Sequence, residues 1–290
     1  MQALFFGMGF SSEATADFMR QSGRFVHIRG TVRTADRART LSERGHEALL
    51  FDGTQPGPEL GPALAQDITH VVLSIAPDAD GDLVLRHHHA ELDAARDLEW
   101  LCYFSTVGVY GDFGGDWIDE SAPLVPRNMR SDRRVLAEDE WRAYAAARGV
   151  PLCILRLAGI YGPGRSTFDK LRDGTARRVV KPGQVFNRIH VADIARVTAL
   201  AAERRLAGTF NLADDEPAPP QDLVTHAAAM LGMAPPPELP FETAQMSDMQ
   251  RSFYRDNKRV SNAAIKAALG IGLLYPSYRE GLAAIFEGEQ

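Results

Sequence analysis

Gly7-Met8-Gly9-Phe10-Ser11-Ser12 follows the short apolar run Ala3–Phe6 and opens a segment with helical spacing. Two glycines let the chain turn tightly and let a pyrophosphate approach bare amides. The partial positive charge of a helix N-terminus favours that anion. Ser12 takes the place of the third glycine of a G-x-G-x-x-G pattern and is still small enough for close helix–strand packing. A strand–turn–helix setting is the context this motif requires, so the loop predicts nucleotide binding. After the second expected strand, a site for unmodified ribose hydroxyls would carry Asp or Glu, whereas a 2′-phosphate calls for Arg. The residues here are Gly30-Thr31-Val32-Arg33-Thr34, with Arg37 nearby and no acid. This favours NADP over NAD, the alternative being that the arginines are simply solvated at a helix start. Thr106 is a third candidate. A hydroxyl just past the end of a buried strand lies where ligands bind in open α/β sheets, though capping or turn formation would also account for it. His190 reads as structural, with Asp193 supporting a helix start. His87-His88-His89 points in three directions on a helix and, without Cys or acidic partners, predicts no metal site.

The elements that must position these groups follow from periodicity. Apolar runs at Ala3–Phe6, Phe25–Ile28, Ala48–Phe51, His70–Ile75, Trp100–Phe104 and Leu152–Leu157 predict strands buried on both faces. Helical spacing separates them at Ser12–Gln21, Ala35–Arg44, Leu83–Leu98 and Asp132–Arg148. That alternation predicts an α/β fold with a doubly wound parallel sheet of Rossmann type. Asn187–Val191 and Gly208–Leu212 read as further strands, Ala192–Glu203 as a helix, and the proline-rich stretches around a helix near Gln221–Leu231 as a smaller C-terminal lobe. The expected division is a core at 1–164, an insertion at 165–186, a return to the core at 187–213 and a substrate lobe at 214–290.

Composition narrows the function. In 290 residues, 45% are hydrophobic and 24% charged, an ordinary globular balance with ample length for a core. The net charge of −6, with both signs interspersed, argues against nucleic acid or an anionic membrane as a partner. Cys102 and Cys153 sit inside apolar runs and read as buried thiols of a reducing compartment. No run reaches membrane-span length, and the chain opens straight into ALFFGMG without a signal-like core. The expected location is cytoplasmic.

From Phe104 onward the motifs are specific. Ser105-Thr106-Val107-Gly108-Val109-Tyr110-Gly111, Asp119-Glu120 before Pro123 and Pro126, Leu155-Arg156-Leu157 with Ile160-Tyr161-Gly162-Pro163-Gly164, Arg188-Ile189-His190-Val191-Ala192-Asp193-Ile194-Ala195 and Gly208-Thr209-Phe210-Asn211-Leu212 occur in order. Together they resemble the extended and atypical short-chain dehydrogenase/reductase superfamily, in its NAD(P)-dependent epimerase/dehydratase branch. The resemblance implies cofactor contacts from Gly7, Met8, Gly9, Phe10, Ser11, Ser12, Arg33, Asp52, Gly53, Ser74, Ile75, Ala76, Ser105 and Leu157. It implies substrate contacts from Val107, Tyr110, Tyr161, Asn187 and Arg188.

The chain departs from this family at its chemical centre. The family's Tyr-x-x-x-Lys places a proton-transferring phenol and an ammonium on one helix face. Alignment on Pro126 and Ala137-Glu138 puts Arg130 at the Tyr position and Arg134 at the Lys position. Arg134 could still meet the ribose. Arg130 cannot replace the phenol, because a guanidinium does not release a proton near neutral pH. Thr106, Arg130 and Arg134 are therefore the candidate catalytic groups. Two readings follow: an NAD(P)-dependent oxidoreductase or epimerase-like enzyme with an altered acid/base, or a non-catalytic NAD(P)-binding sensor. The substrate would be a small molecule; Arg165 and Arg188 would suit a phosphorylated or nucleotide-linked one, and a surface role suits them as well. A homodimer is left open.

Overall fold

The computed structural model describes residues 1–65 and 67–289. Its first elements are β1 (Gln2–Phe6), α1 (Phe10–Gln21), β2 (His27–Val32), α2 (Ala35–Glu43), β3 (Glu47–Leu50), α3 (Leu60–Ala65), β4 (His70–Leu73), α4 (Leu83–Ala94) and β5 (Trp100–Thr106). A 3-10 turn at Val107–Tyr110 leads to β6 (Trp117–Ile118), α5 (Met129–Arg148), β7 (Leu152–Leu157), β8 (Gly159–Tyr161), α6 (Thr167–Arg172) and β9 (Arg178–Val180). The chain ends with β10 (Arg188–His190), α7 (Val191–Glu203), β11 (Gly208–Leu212), α8 (Pro220–Met230), β12 (Glu238–Pro240), α9 (Asp248–Phe253), β13 (Arg259–Val260), α10 (Ala263–Leu269) and α11 (Tyr278–Gly288).

Seven strands form one sheet in the order β11-β7-β5-β4-β1-β2-β3. The β1–β2, β1–β4, β2–β3 and β4–β5 pairs are all parallel. This is the doubly wound architecture expected from the alternation of apolar runs and helices. Among the predicted strands, the second differs most in its bounds. The apolar run at Phe25–Ile28 predicts a strand there, whereas β2 runs from His27 to Val32 and Val26 is exposed. Polar Arg29 hides the continuation: its guanidinium pairs with Glu47 on β3 at 2.7 Å. Gly30 hides it too, because the Met8 side chain occupies the space a Cβ would need.

The chain divides into two compact units. The first comprises 1–106, 128–156 and 194–210; the second comprises 107–127, 157–193 and 211–290. The excursion after β5 thus groups with the C-terminal elements. Unit 1 is built on a buried cluster in which Leu4, Phe6, Leu73, Leu101 and Tyr103 of the strands meet Leu92, Ala137, Trp141 and Tyr144 of α4 and α5. Unit 2 packs Tyr161, Phe168 and Leu171 against Val224, Ala227, Tyr278, Leu282 and Ile285. It also carries three short parallel pairs, β8–β10, β9–β12 and β6–β13. Asn187 ties two of its segments together, donating to Lys258 O at 3.0 Å and accepting from Val260 N at 2.8 Å.

A buried carboxylate anchors α5 to the sheet of unit 1. Glu138 is fully buried. Arg156 on β7 donates from Nε to Oε1 at 3.1 Å and from Nη2 to Oε2 at 2.7 Å. The Ser105 hydroxyl donates to Oε1 at 2.5 Å and Arg142 to Oε2 at 2.8 Å. Burial by itself would raise the Glu138 pKa, but these donors outweigh it and hold the group below its ordinary value. Removing the carboxylate takes from the buried Arg156 the group to which it donates twice. Glu138→Ala should therefore lose about 3–5 kcal/mol in denaturant unfolding. Because the folded-state pKa is depressed, Glu138's contribution is present above its unfolded pKa and fades as pH falls below it. Glu138→Gln should flatten that part of the acid limb; an acid limb identical to wild type would contradict the role.

Candidate functional site

In unit 1 the glycine loop sits at the carboxyl end of β1 and is fixed from two sides. Gly7 has φ +96°, and a Cβ there would lie 2.8 Å from Ser74 Oγ, so the position demands glycine. The Gly7 amide donates to the Thr31 hydroxyl at 2.8 Å, and the Met8 amide to Thr31 O at 2.7 Å. From the end of β4, the Ser74 hydroxyl donates to Gly7 O at 2.6 Å and accepts from the Ser12 hydroxyl at 3.0 Å. Gly9 is the N-cap of α1; no side chain caps the helix, and a Cβ on Gly9 would meet nothing within 4 Å. The structure thus gathers Gly7, Gly9, Ser12 and Ser74 around an open helix N-terminus. Ile75 flanks it, its Cγ1 lying 3.1 Å from that same Gly7 Cβ position, and Ala76 follows as an exposed residue. Met8 turns into the core, whereas Phe10 and Ser11 stay partly exposed in the first turn.

The two arginines after β2 differ. Thr34 caps α2 by accepting from Arg37 N at 3.3 Å. The Arg37 side chain is committed to Glu13 of α1 at 2.5 Å, and Arg44 joins the same carboxylate at 2.6 Å. Arg33 is exposed and has no acceptor among the described residues. Asp52, also exposed, accepts from the Thr54 amide at 2.8 Å and hydroxyl at 2.7 Å; Gly53, at φ +83°, offers its carbonyl to His87 at 2.9 Å. The three consecutive histidines do diverge: His88 packs on Phe51 and accepts from Gly57 N at 3.1 Å, while His89 pairs with Asp93 at 3.2 Å.

At the end of β5, Ser105 is buried with its hydroxyl spent on Glu138, and Thr106 is half-buried as the last residue of the strand. Asn128 caps α5, placing exposed Arg130 in the first turn and Arg134 one turn further. Arg134 folds back onto β5, where Nη1 donates to Phe104 O at 2.8 Å and to Tyr103 Oη at 3.0 Å. Tyr103 is fully buried, and that burial pushes its phenol well above the ordinary tyrosine value. Neither the two arginines nor this phenol can pass protons at neutral pH.

The expected substrate residues Val107, Tyr110, Tyr161, Asn187 and Arg188 all belong to unit 2, as does Leu157, buried at the end of β7. Val107 opens the 3-10 turn that Tyr110 closes. Tyr110 is buried and donates to Asn211 Oδ1 at 2.7 Å. Tyr161 lies edge-on to His190 with ring centroids 5.2 Å apart, and its hydroxyl enters the space left by Gly281. Arg188 is buried, donating to Phe186 O and Ala218 O at 3.1 Å each. His190 accepts from Ala192 N at 3.1 Å, and burial lowers its pKa to about 4, so its ring is neutral at pH 7. Asp193 accepts from Leu274 N at 2.6 Å and Tyr275 N at 3.0 Å, fastening α7 to the segment before α11. The residues that sequence reasoning missed are Thr31, Tyr103 and Glu138, and Asp214, a buried carboxyl of unit 2. A signal existed for one of them: Arg156 inside the apolar run Leu152–Leu157 calls for a buried acid.

Residues 84–213 match the NAD dependent epimerase/dehydratase family. A functionally unknown conserved protein from Silicibacter pomeroyi DSS is 42% identical, with 99% of this chain and 98% of that one covered and a TM-score of 0.88. The 3-diazoavenalumate denitrifying reductase of a Streptomyces species is 30% identical over 180 residues. That match spans 57% of this chain and 58% of the reductase, less than two thirds of the relative's length. The UDP-glucuronic acid 4-epimerase of Bacillus cereus, solved in complex with NAD, shares the fold at 16% identity and a TM-score of 0.75, covering 99% and 98% of the two chains. No helix among the described residues is long and apolar enough to cross a membrane. The parallel sheet, the glycine loop at its edge and the ordered motifs from Ser105 to Asp193 agree with that match: residues 84–213 carry the NAD dependent epimerase/dehydratase family domain.

Proposed function

We propose that this protein is an NAD(P)-dependent oxidoreductase of the epimerase/dehydratase type that acts on a small molecule without the family's phenol–ammonium proton relay. The observation that carries this reading is the α1 N-terminus, uncapped by any side chain and held beside an ordered glycine loop by Thr31 and Ser74. That arrangement fits a dinucleotide pyrophosphate. A nicotinamide cofactor, when bound, supplies or takes up a hydride. Gly7, Gly9 and the first turn of α1 would hold its phosphates, Arg33 a 2′-phosphate, and Arg134 the nicotinamide ribose. Arg130 and Arg134 stabilise negative charge but move no proton, so any proton the reaction needs comes from another group. Thr106 orients a substrate oxygen through its hydroxyl. The relative named as a denitrifying reductase supports a reductive reaction. A second reading, a non-catalytic NAD(P) sensor, is favoured by the loss of the dyad and is separated from the first by turnover.

Two outcomes are expected. Arg33→Ser should weaken NADPH binding roughly ten- to hundredfold in calorimetric titration, a loss of about 1.5–3 kcal/mol, while NADH binding changes little. Equal losses for both cofactors, or tighter NADH binding by the wild type, would refute the 2′-phosphate assignment. For chemistry, oxidation of NADPH is followed over a panel of phosphorylated and nucleotide-linked carbonyl compounds. With an accepted substrate, Arg130→Met should leave the pH profile's titrating groups in place. Thr106→Val should cost roughly 1–3 kcal/mol of transition-state stabilisation, because the substrate oxygen loses its partner. Loss of a titrating group in Arg130→Met with a silent Thr106→Val overturns this mechanism. Tight NADPH binding without turnover on any compound moves the assignment to the sensor.

A further inference from the structure

A guanidinium standing where an ammonium is expected poses a geometric problem that Tyr103 answers. Arginine is longer than lysine, and its charge is spread over a planar fork rather than a point. A fork serves a diol only if its plane is fixed. In unit 1 the Arg134 Nη1 corner is fixed twice, by Phe104 O at 2.8 Å and by Tyr103 Oη at 3.0 Å. The guanidinium carbon lies 5.5 Å from the centre of the Tyr103 ring, so the side chain is drawn back onto β5. Nε and Nη2 have no acceptor among the described residues. Tyr103 itself is fully buried on β5, which keeps it from touching a ligand.

We propose that Tyr103 is a positioning residue for Arg134, holding one corner of the guanidinium so that Nε and Nη2 serve the nicotinamide ribose hydroxyls. This rests on the reading of Arg134 as the ribose-binding cation. Lysine at 134 would carry the charge without bridging Tyr103 and the ribose together, which makes the phenol and the guanidinium a matched pair.

The test is a double-mutant cycle on NADPH affinity, read by fluorescence titration of the full chain alongside thermal unfolding. Arg134→Met should weaken binding tenfold or more. Tyr103→Phe, which keeps the ring and removes only the hydroxyl, should weaken it three- to tenfold in the wild type and not at all in the Arg134→Met background. Arg134→Lys should bind more weakly than wild type and be indifferent to Tyr103→Phe. If Arg134→Met binds NADPH like wild type, the ribose assignment itself fails. If Arg134→Met binds weakly but Tyr103→Phe binds like wild type, positioning alone is overturned. Equal losses from Tyr103→Phe in both backgrounds also overturn it, because the phenol then acts through the fold. Should Tyr103→Phe not fold, Arg134→Lys decides: affinity equal to wild type refutes the need for an anchored fork.

Discussion

Burying Glu138 is the constraint on which the rest of unit 1 turns. Moving a carboxylate and a guanidinium out of water costs several kcal/mol per ion, and their attraction offsets this only with good geometry and saturated hydrogen bonds. The structure meets that condition by recruiting three elements at once: Arg156 from β7, Ser105 from β5 and Arg142 from α5 itself. Each partner is thereby committed to one place. Ser105 is fixed, so Thr106 beside it inherits a defined position at the end of β5. Glu138 is fixed, so Arg134, one helical turn earlier on the same helix, is delivered to the carboxyl end of that strand.

Arg130 and Arg134, in the first two turns of α5, give this edge of the sheet a particular character. A phenol and an ammonium can exchange protons through their neighbours; two guanidinium groups supply charge and directed donors only. Arg134 is committed to β5, and Arg142 to Glu138 and Asp139. Arg37, basic and close to the glycine loop, is likewise spent on Glu13. Arg33 stands apart from these in being exposed and uncommitted.

The doubly wound sheet was legible because its central strands β1, β4 and β5 are largely apolar runs, and runs of that kind arise when both faces are covered. Where polarity interrupted the run, the boundary was lost, as at Arg29 and Gly30 in β2, which meet Glu47 and Met8. The glycine loop was legible for a local reason: its backbone geometry and small residues are written in consecutive positions. The contacts that hold it were not. Thr31 and Ser74 lie 24 and 67 residues from Gly7, and nothing in a hydroxyl's own neighbourhood announces which amide or carbonyl it will meet. Tyr103 and Glu138 escaped for the same reason, each looking like an ordinary member of a strand or helix. Arg188, read as a substrate contact from its motif, lies buried against backbone carbonyls of its own unit.

Two buried carboxyl groups in this molecule show that burial alone does not decide ionisation. Glu138 is met by two guanidinium groups and a hydroxyl and stays below its ordinary pKa. Asp214, buried in unit 2 near Arg188, has no guanidinium or hydroxyl donor to either oxygen among the described residues. The nearby Arg188 charge is directed into the carbonyls of Phe186 and Ala218 instead. Desolvation then dominates and raises Asp214 to about 8. The difference is made by hydrogen-bond donors aimed at the carboxylate. A carboxyl with few such donors is held in its neutral form by burial. Among these buried groups of unit 2, then, Asp214 holds an exchangeable proton near neutrality, whereas His190 is neutral there and Tyr161 is pushed far above its ordinary value by burial.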